Sequence, residues 1–343
     1  MTIGPGPRNA LTDVAGILVG QAEDLGRRTG VTVVLAEPAA IGAVDVRGGA
    51  PGTIETDALA PGGLAQTVDA IVLAGGSAYG LDAAAAVKTV LAQRGRGFRV
   101  GSATVPIVPG AILFDLLNGG DKSWGDRPPY ADLGRAALLA AGTEVRQGNV
   151  GAGTGALAGR LKGGTGTASA FDPATGTTVA ALVAVNAFGA VTFPGSPVFW
   201  AWHLEQSGEF GGPFTPPGPV SLEPETKRGS GPNTTIGVIA TDALLDRVQT
   251  QRLAIMGQDG LARAIRPIHT PFDGDTLFAL ATGKVQLAAS PELVMRLGAV
   301  AADCVARAVC RAVHAAKDLG ELRSWHSLAG VSRPSDHASG PSP

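Results

Sequence analysis

The stretch from Gly211 to Asn233 limits what this chain can fold into more than any other. It carries Pro213, Pro216, Pro217, Pro219, Pro224 and Pro232 among glycines and charges, with no apolar period of either the strand or the helix kind. Proline fixes φ and lacks an amide donor, so this stretch belongs in neither a sheet interior nor a helix. A structureless run of that length inside a compact protein is uncommon, and it is usually either functional or a linker. It stops abruptly at TTIGVIAT (234–241), a β-branched run that reads as a buried strand. Composition alone favours an interdomain linker. The sharper reading is a processing loop that is cut immediately before Thr234.

The rest of the chain punctuates clearly. VTVVLA (31–36), VDAIVLA (68–74) and TVAALVAV (178–185) read as buried strands, and TLFALATG from Thr276 as another. The run at 68–74 passes through Gly75 and Gly76 into LDAAAAVKTVLAQR, an Ala- and Leu-rich helix. Asp242 is expected to cap a helix carrying Leu245, Val248 and Met256. Ser290, Pro291 and Glu292 supply an N-cap, an N1 proline and a first-turn acid. Helical spacing of Leu293, Leu297, Val300 and Cys304 follows, in a run reaching about Asp318. From about His326 the chain becomes rich in Ser, Pro, Gly and His and is expected to be a flexible tail, 326–343.

Bulk properties exclude several functions. A length of 343 residues suits one large domain or two modest ones. Only 16% of residues are charged and the net charge is −2, so there is no pull toward nucleic acid or acidic membranes. No run approaches the ~20 apolar residues of a membrane span, and the opening residues lack signal-peptide character, so a cytoplasmic location is expected. The 50 glycines and 24 prolines suit tight turns in a loop-rich α/β protein. Cys304 and Cys310 lie six residues apart in one helical run. That separation is about 9 Å of rise, past the ~7 Å a disulfide tolerates, so two packed thiols are expected. The five histidines show no ligand spacing, and neither metal nor cofactor is expected.

The processing reading has a chemical rationale. If the Thr234 hydroxyl attacks the Asn233 carbonyl, an ester forms, and its hydrolysis leaves Thr234 with a hydroxyl nucleophile and an α-amine on one residue. An α-amine titrates near 7.7–8, so a useful fraction is free base at neutral pH without elaborate burial.

Six motifs now coincide: DVRGGAPGTIETD (45–57), LAGGSAYGLDAAAAV (73–87), GNVGAGTGA (148–156), KGGTGTAS (162–169), GPNTTIGVIATD (231–242) and HTPFDGDTLFALATG (269–283). Together, in this order from about Leu11 to Leu319, they resemble the aminopeptidase/D-esterase family, which includes the nylon-oligomer hydrolases. The resemblance implies a four-layer αββα sandwich of the N-terminal-nucleophile type. It also implies one precursor cut at Asn233–Thr234 into an α piece, 1–233, and a β piece, 234–343, within one structural domain.

Site residues follow from the same resemblance, one at a time. Asn186, in VAVNAFG, takes the family's oxyanion-donor position. Asp273 and Asp275, two apart around Gly274, match the pair of acids that the nylon-hydrolase branch sets against the nucleophile and its amine. Local sequence reads equally well as an Asp-Gly-Asp turn. Tyr130 matches a family tyrosine near the nucleophile. The cation is either Lys162, which opens the KGG motif and is preferred, or Arg160. Expected substrates are amides with a free or nearly free amino end: short peptides, D-alanyl or β-amino acid amides, or 6-aminohexanoate oligomers. A homo-oligomer, such as a tetramer of αβ units, is implied as well.

Three other readings compete. Gly75 to Gly80 lies between a strand and a helix, the setting of a Ser77 nucleophile elbow, yet Gly-x-Ser-x-Gly requires glycine where Tyr79 stands. Gly151, Gly153 and Gly155 suggest nucleotide binding through backbone amides, although their spacing is loose. An acyltransferase of the ornithine type shares the self-cleaving threonine and would pass the acyl group to an amine.

Overall fold

The computed structural model describes residues 2–329, apart from 216, 220, 222, 227–232 and 288–289. Nine strands make one mixed sheet: β1 (Ile17–Asp24), β2 (Thr29–Val46), β3 (Thr53–Ile54), β4 (Thr67–Ala74), β5 (Gly110–Ile112), β6 (Gly164–Asp172), β7 (Thr177–Asn186), β8 (Thr234–Ala243) and β9 (Thr276–Val285). Their order is β6-β7-β8-β9-β2-β4-β5-β3, with β1 also on β2. The expected strands at 31–36, 68–74, 178–185 and from Thr234 and Thr276 are all among them.

The long β2 joins two halves of the sheet. Its first part pairs with β1 and β4, its last part, Ile41–Val46, with β9, and the ladder to β4 shifts register between Leu35 and Ala40. The halves stack face to face, as the alternation along each strand shows. Leu182 and Ala184 of β7, Ile236 and Val238 of β8, and Phe278 and Leu280 of β9 share one buried cluster with Val34 of β2 and Ile71 and Leu73 of β4. The intervening residues point outward under helices. Ala181, Val183, Ile239 and Leu277 pack beneath α3 (Arg247–Ala264) and α4 (Pro291–Ala315). Val31, Val33 and Val72 pack beneath α1 (Asp82–Gln93) and α2 (Tyr130–Leu139). This is the expected αββα sandwich. Burial on both faces explains why its strands read as unbroken apolar runs.

Two local expectations are corrected. Asp242 does not cap a helix: it lies within β8, and its Oδ1 accepts the Thr178 N–H at 2.8 Å. The cap of α3 is Asp246, whose side chain accepts from the Gln249 N–H while the Gln249 side chain accepts from the Asp246 N–H, a capping box. The expectation of a tail from His326 fails at its start, because Trp325–Ala329 forms α5 and Trp325 is buried, donating to the Pro197 carbonyl at 2.8 Å. Residues 330–343 lie outside the described residues. Ser290 caps α4 as its sequence implies, through the Leu293 N–H. Cys304 and Cys310 are buried and unpaired on that helix. No helix among the described residues is long and apolar enough to cross a membrane.

Candidate active site

β8 is the central strand of its half, flanked by antiparallel β7 and parallel β9. Its even-numbered residues face the layer between the sheets, and Thr234 is the first of them. Asn186, the last residue of β7, is the register partner of Thr234. Directly opposed residues of an antiparallel pair stand on the same face with Cβ atoms ~5 Å apart, so the two side chains leave the sheet side by side. Asn186 is held on both sides: its Oδ1 accepts the Leu157 N–H at 2.9 Å and its Nδ2 donates to the Phe114 carbonyl at 3.0 Å. Thr234 is only 3% exposed, and its hydroxyl donates to the carbonyl of Asn233, the bond that the processing reading cuts.

The loop before β9 closes the other side. Asn233 bridges Asp273, and the Asn233 carbonyl accepts the Gly274 N–H at 2.9 Å. A Cβ at Gly274 would fall 2.8 Å from Thr234 Oγ1, so this glycine permits the close approach. Asp275 Oδ1 accepts the Thr235 N–H at 2.7 Å, and its Oδ2 accepts the His269 N–H at 3.0 Å and lies 2.9 Å from His269 Nδ1. Asp273 accepts from the Phe188 N–H at 3.2 Å and from the Thr270 hydroxyl at 2.6 Å. Burial, and secondarily the Asp275 charge, raises the Asp273 carboxyl above the usual carboxylate range. The DVRGGAPG motif braces this loop. Arg47 and Gly48 N–H groups donate to the Asp275 carbonyl and Ala50 N–H to that of Asp273, and a Cβ on Gly48 would sit 2.3 Å from the Asp273 carbonyl oxygen.

Lys162 and Arg160 share a small hairpin, in which Leu157 pairs with Lys162. The lysine is fully buried, donating to the carbonyls of Gly163 at 2.8 Å and Gly153 at 3.1 Å, and burial lowers it to about 7. The arginine faces outward, 3.4 Å from Glu225, on a cavity of about 340 Å³ lined by Leu161, Val191, Phe193 and Trp325. Tyr130 is buried elsewhere: its hydroxyl meets Thr29 Oγ1 at 3.3 Å and its ring lies against Gly76. Burial, and then the Asp115 charge, raises its phenol. Thr29 Oγ1 donates to Asp115 at 2.6 Å, and Asp115 is the residue after Phe114, whose carbonyl holds Asn186. Tyr130 thus reaches the neighbourhood of Thr234 through Thr29 and the 114–115 segment.

Thr234, Asn186, Asp273 and Asp275 converge at the start of β8, with Lys162 one hairpin away. Sequence reasoning missed His269, Thr270, Asp115 and the Gly274 N–H. The first two belong to the quoted HTPFDGD motif, while Asp115 carries no local signal. Ser77 does sit on a strained strand-to-helix turn, with φ of 53°, but no histidine among the described residues hydrogen-bonds it. The nucleotide-site reading meets filled space, because a Cβ on Gly153 would come within 2.2 Å of Gly164 backbone and one on Gly155 within 1.9 Å of the Arg28 carbonyl. Among the described residues no group of three or more His, Cys, Asp or Glu side chains is placed to hold a metal ion.

The αββα sandwich is the fold of the N-terminal-nucleophile hydrolases, and here it sets the buried Thr234 opposite Asn186 at one strand end. The chain belongs to peptidase family S58, which matches residues 9–324. It is 47% identical to an uncharacterized aminopeptidase of Mycobacterium tuberculosis, over 93% of this chain and 98% of that one. It is 33% identical to a 6-aminohexanoate-oligomer endohydrolase of Kocuria sp. (strain KY2), over 81% of this chain and 76% of the relative. Among solved structures, a Burkholderia sp. beta-aminopeptidase superposes with a TM-score of 0.68 at 25% identity, covering 95% of this chain and 93% of that one. The L-aminopeptidase D-Ala-esterase/amidase of Ochrobactrum anthropi, described as a variant of the Ntn hydrolase fold, has the same fold (TM-score 0.68, 23% identity, 94% and 90% covered). The chain is therefore a hydrolase acting on peptide or amide bonds.

Proposed function

We propose that this hydrolase is a self-processing aminopeptidase or amidase, cut at Asn233–Thr234 and working through the freed Thr234. One observation supports it above the others: the Thr234 hydroxyl already lies on the carbonyl of the bond to be cut, at the rigid start of β8. In turnover, Thr234 Oγ1 attacks an amide carbonyl, the Thr234 amine takes the hydroxyl proton and passes it to the leaving amine as the carbon–nitrogen bond breaks, and an acyl ester is left on Oγ1. The Asn186 amide supports the oxyanion, a role worth about 3 kcal/mol of barrier. Asp273 and Asp275 orient the amine, and water then releases the acyl group.

Lys162, buried and free of any carboxylate partner among its hydrogen bonds, is the cation of this site in preference to Arg160. Tyr130 supports the Asn186 side from a distance. Substrates are amides with a free or nearly free amino end, a class that includes short peptides, β-amino acid amides and 6-aminohexanoate oligomers. The two free thiols suit a reducing, cytoplasmic setting, and the α and β pieces assemble as a homo-oligomer of αβ units. Separate alanine substitutions test the nucleophile. Thr234→Ala is expected to remain one chain without amidase activity, and Ser77→Ala to cut itself and turn over; the opposite pairing contradicts the proposal.

A further inference from the structure

We infer that the nucleophile is served by two different oxyanion donors, the Gly274 N–H for self-cleavage and the Asn186 side chain for turnover, so that the two reactions are separable. The inference rests on Thr234 being the nucleophile of both. β8 lies between β7 and β9, and one donor comes from each neighbour. Asn186 ends β7 and is the register partner of Thr234. Gly274 precedes β9, and its N–H donates at 2.9 Å to the carbonyl oxygen of Asn233. The partners of the Asn186 side chain are the Leu157 N–H and the Phe114 carbonyl. Neither is the Asn233 carbonyl.

Self-cleavage proceeds at a carbonyl whose position the chain fixes. The Thr234 hydroxyl oxygen adds to the Asn233 carbonyl carbon, and the negative charge grows on the oxygen that already faces the Gly274 N–H. The carbon–nitrogen bond breaks, the hydroxyl proton ends on the Thr234 nitrogen, and an ester joins Asn233 to Thr234 Oγ1. Water adds to that ester, the carbon–Oγ1 bond breaks, and the products are the Asn233 carboxylate and Thr234 with a free amine and hydroxyl. No atom of Asn186 is required at the oxygen that becomes charged.

A substrate meets a different geometry. Its carbonyl carbon is not tethered to the Thr234 nitrogen, which is now the base that takes the hydroxyl proton and passes it to the leaving amine. The side chain paired with Thr234 on the β7 side is Asn186, whose Nδ2 carries two N–H groups, only one of which is taken by Phe114. The second is free to meet the oxyanion. A backbone N–H on the β9 side and a side-chain N–H on the β7 side therefore divide the work, and a side chain can be removed by mutation.

The test is self-cleavage and amide turnover of full-length Asn186→Ala, with Thr234→Ala alongside. Asn186→Ala is expected to form both pieces at a rate within about threefold of the parent while kcat falls about 100-fold or more. Gly274→Ala keeps the N–H and reports only the close approach: its Cβ would meet the Ala50 carbonyl at 2.7 Å and Thr234 Oγ1 at 2.8 Å, so it is expected to slow cleavage and turnover together. Where Gly274→Ala fails to fold, the asparagine variants alone decide. Asn186→Asp, equal in shape but without the amide donor, repeats the measurement should the alanine variant be unstable. If folded Asn186 variants lose cleavage and turnover alike while Thr234→Ala does neither, the inference is wrong and the assignment of the nucleophile stands. If Thr234→Ala still cuts and turns over, the assignment itself is wrong.

Discussion

The start of β8 and the cavity beside Arg160 adjoin the same hairpin and follow opposite rules. At β8 the acids, the asparagine and the lysine are buried and held by named hydrogen bonds. At the cavity, Arg160 is 57% exposed, paired loosely with Glu225 over an apolar lining. The open cavity is thus not where the chemistry-bearing groups gather. Buried, perturbed titratable groups point to the reacting centre more directly than empty volume does. In the continuous chain that centre is closed, which fits a site that processing must open.

Beyond loss of Thr234 itself, the largest effect expected at the buried end is from Asp275→Asn. The carboxylate accepts from Thr235 and His269 at once, so an amide sets a donor against a donor and removes the charge proposed to orient the amine. Turnover should fall by about 10³-fold. A loss under about tenfold in steady-state kinetics would show that the acid is only a loop brace.

Lys162→Met comes next, with an activity loss of about 100-fold and a pH-dependent change in stability. Burial lowers the lysine from 10.5 to about 7, so the unfolded chain binds its proton more tightly than the folded one. Below about pH 7 both states are protonated and the full cost of the buried charge is present; it fades as pH rises toward 10.5. In an uncut Thr234→Ala background, Lys162→Met should therefore be more stable at pH 6 by roughly 2–4 kcal/mol, with the gap closing by pH 10. Urea midpoints at the two pH values measure it, and a gap independent of pH would mean that the lysine is charged and paired.

Arg160→Ala should do least: under about 1 kcal/mol of stability, as for other exposed ion pairs, and less than about threefold in kcat. A 100-fold loss would exchange the roles of the two cations.

Much of the fold was legible because strands buried on both faces leave unbroken β-branched runs, as at 178–185 and 234–241. The α3 cap was misplaced although its signal was local: Asp246 is followed three residues on by Gln249, whereas Asp242 continues the ladder through a bond to Thr178 that only the folded sheet supplies. The same divide runs through the site. Thr234, Asp273 and Asp275 stand in motifs that can be read along the chain. The Phe114 carbonyl that orients Asn186 lies 72 residues from it in sequence, and no spacing rule reaches so far. Lys162 and Arg160 look alike as letters, and burial alone separates them.

The central claim is that residue 234 becomes a free N-terminus. A denaturing mass measurement on purified, active protein tests it most directly. Two pieces are predicted, residues 1–233 and 234–343, the smaller beginning with Thr234. A single 34.3 kDa chain in a fully active preparation would contradict it.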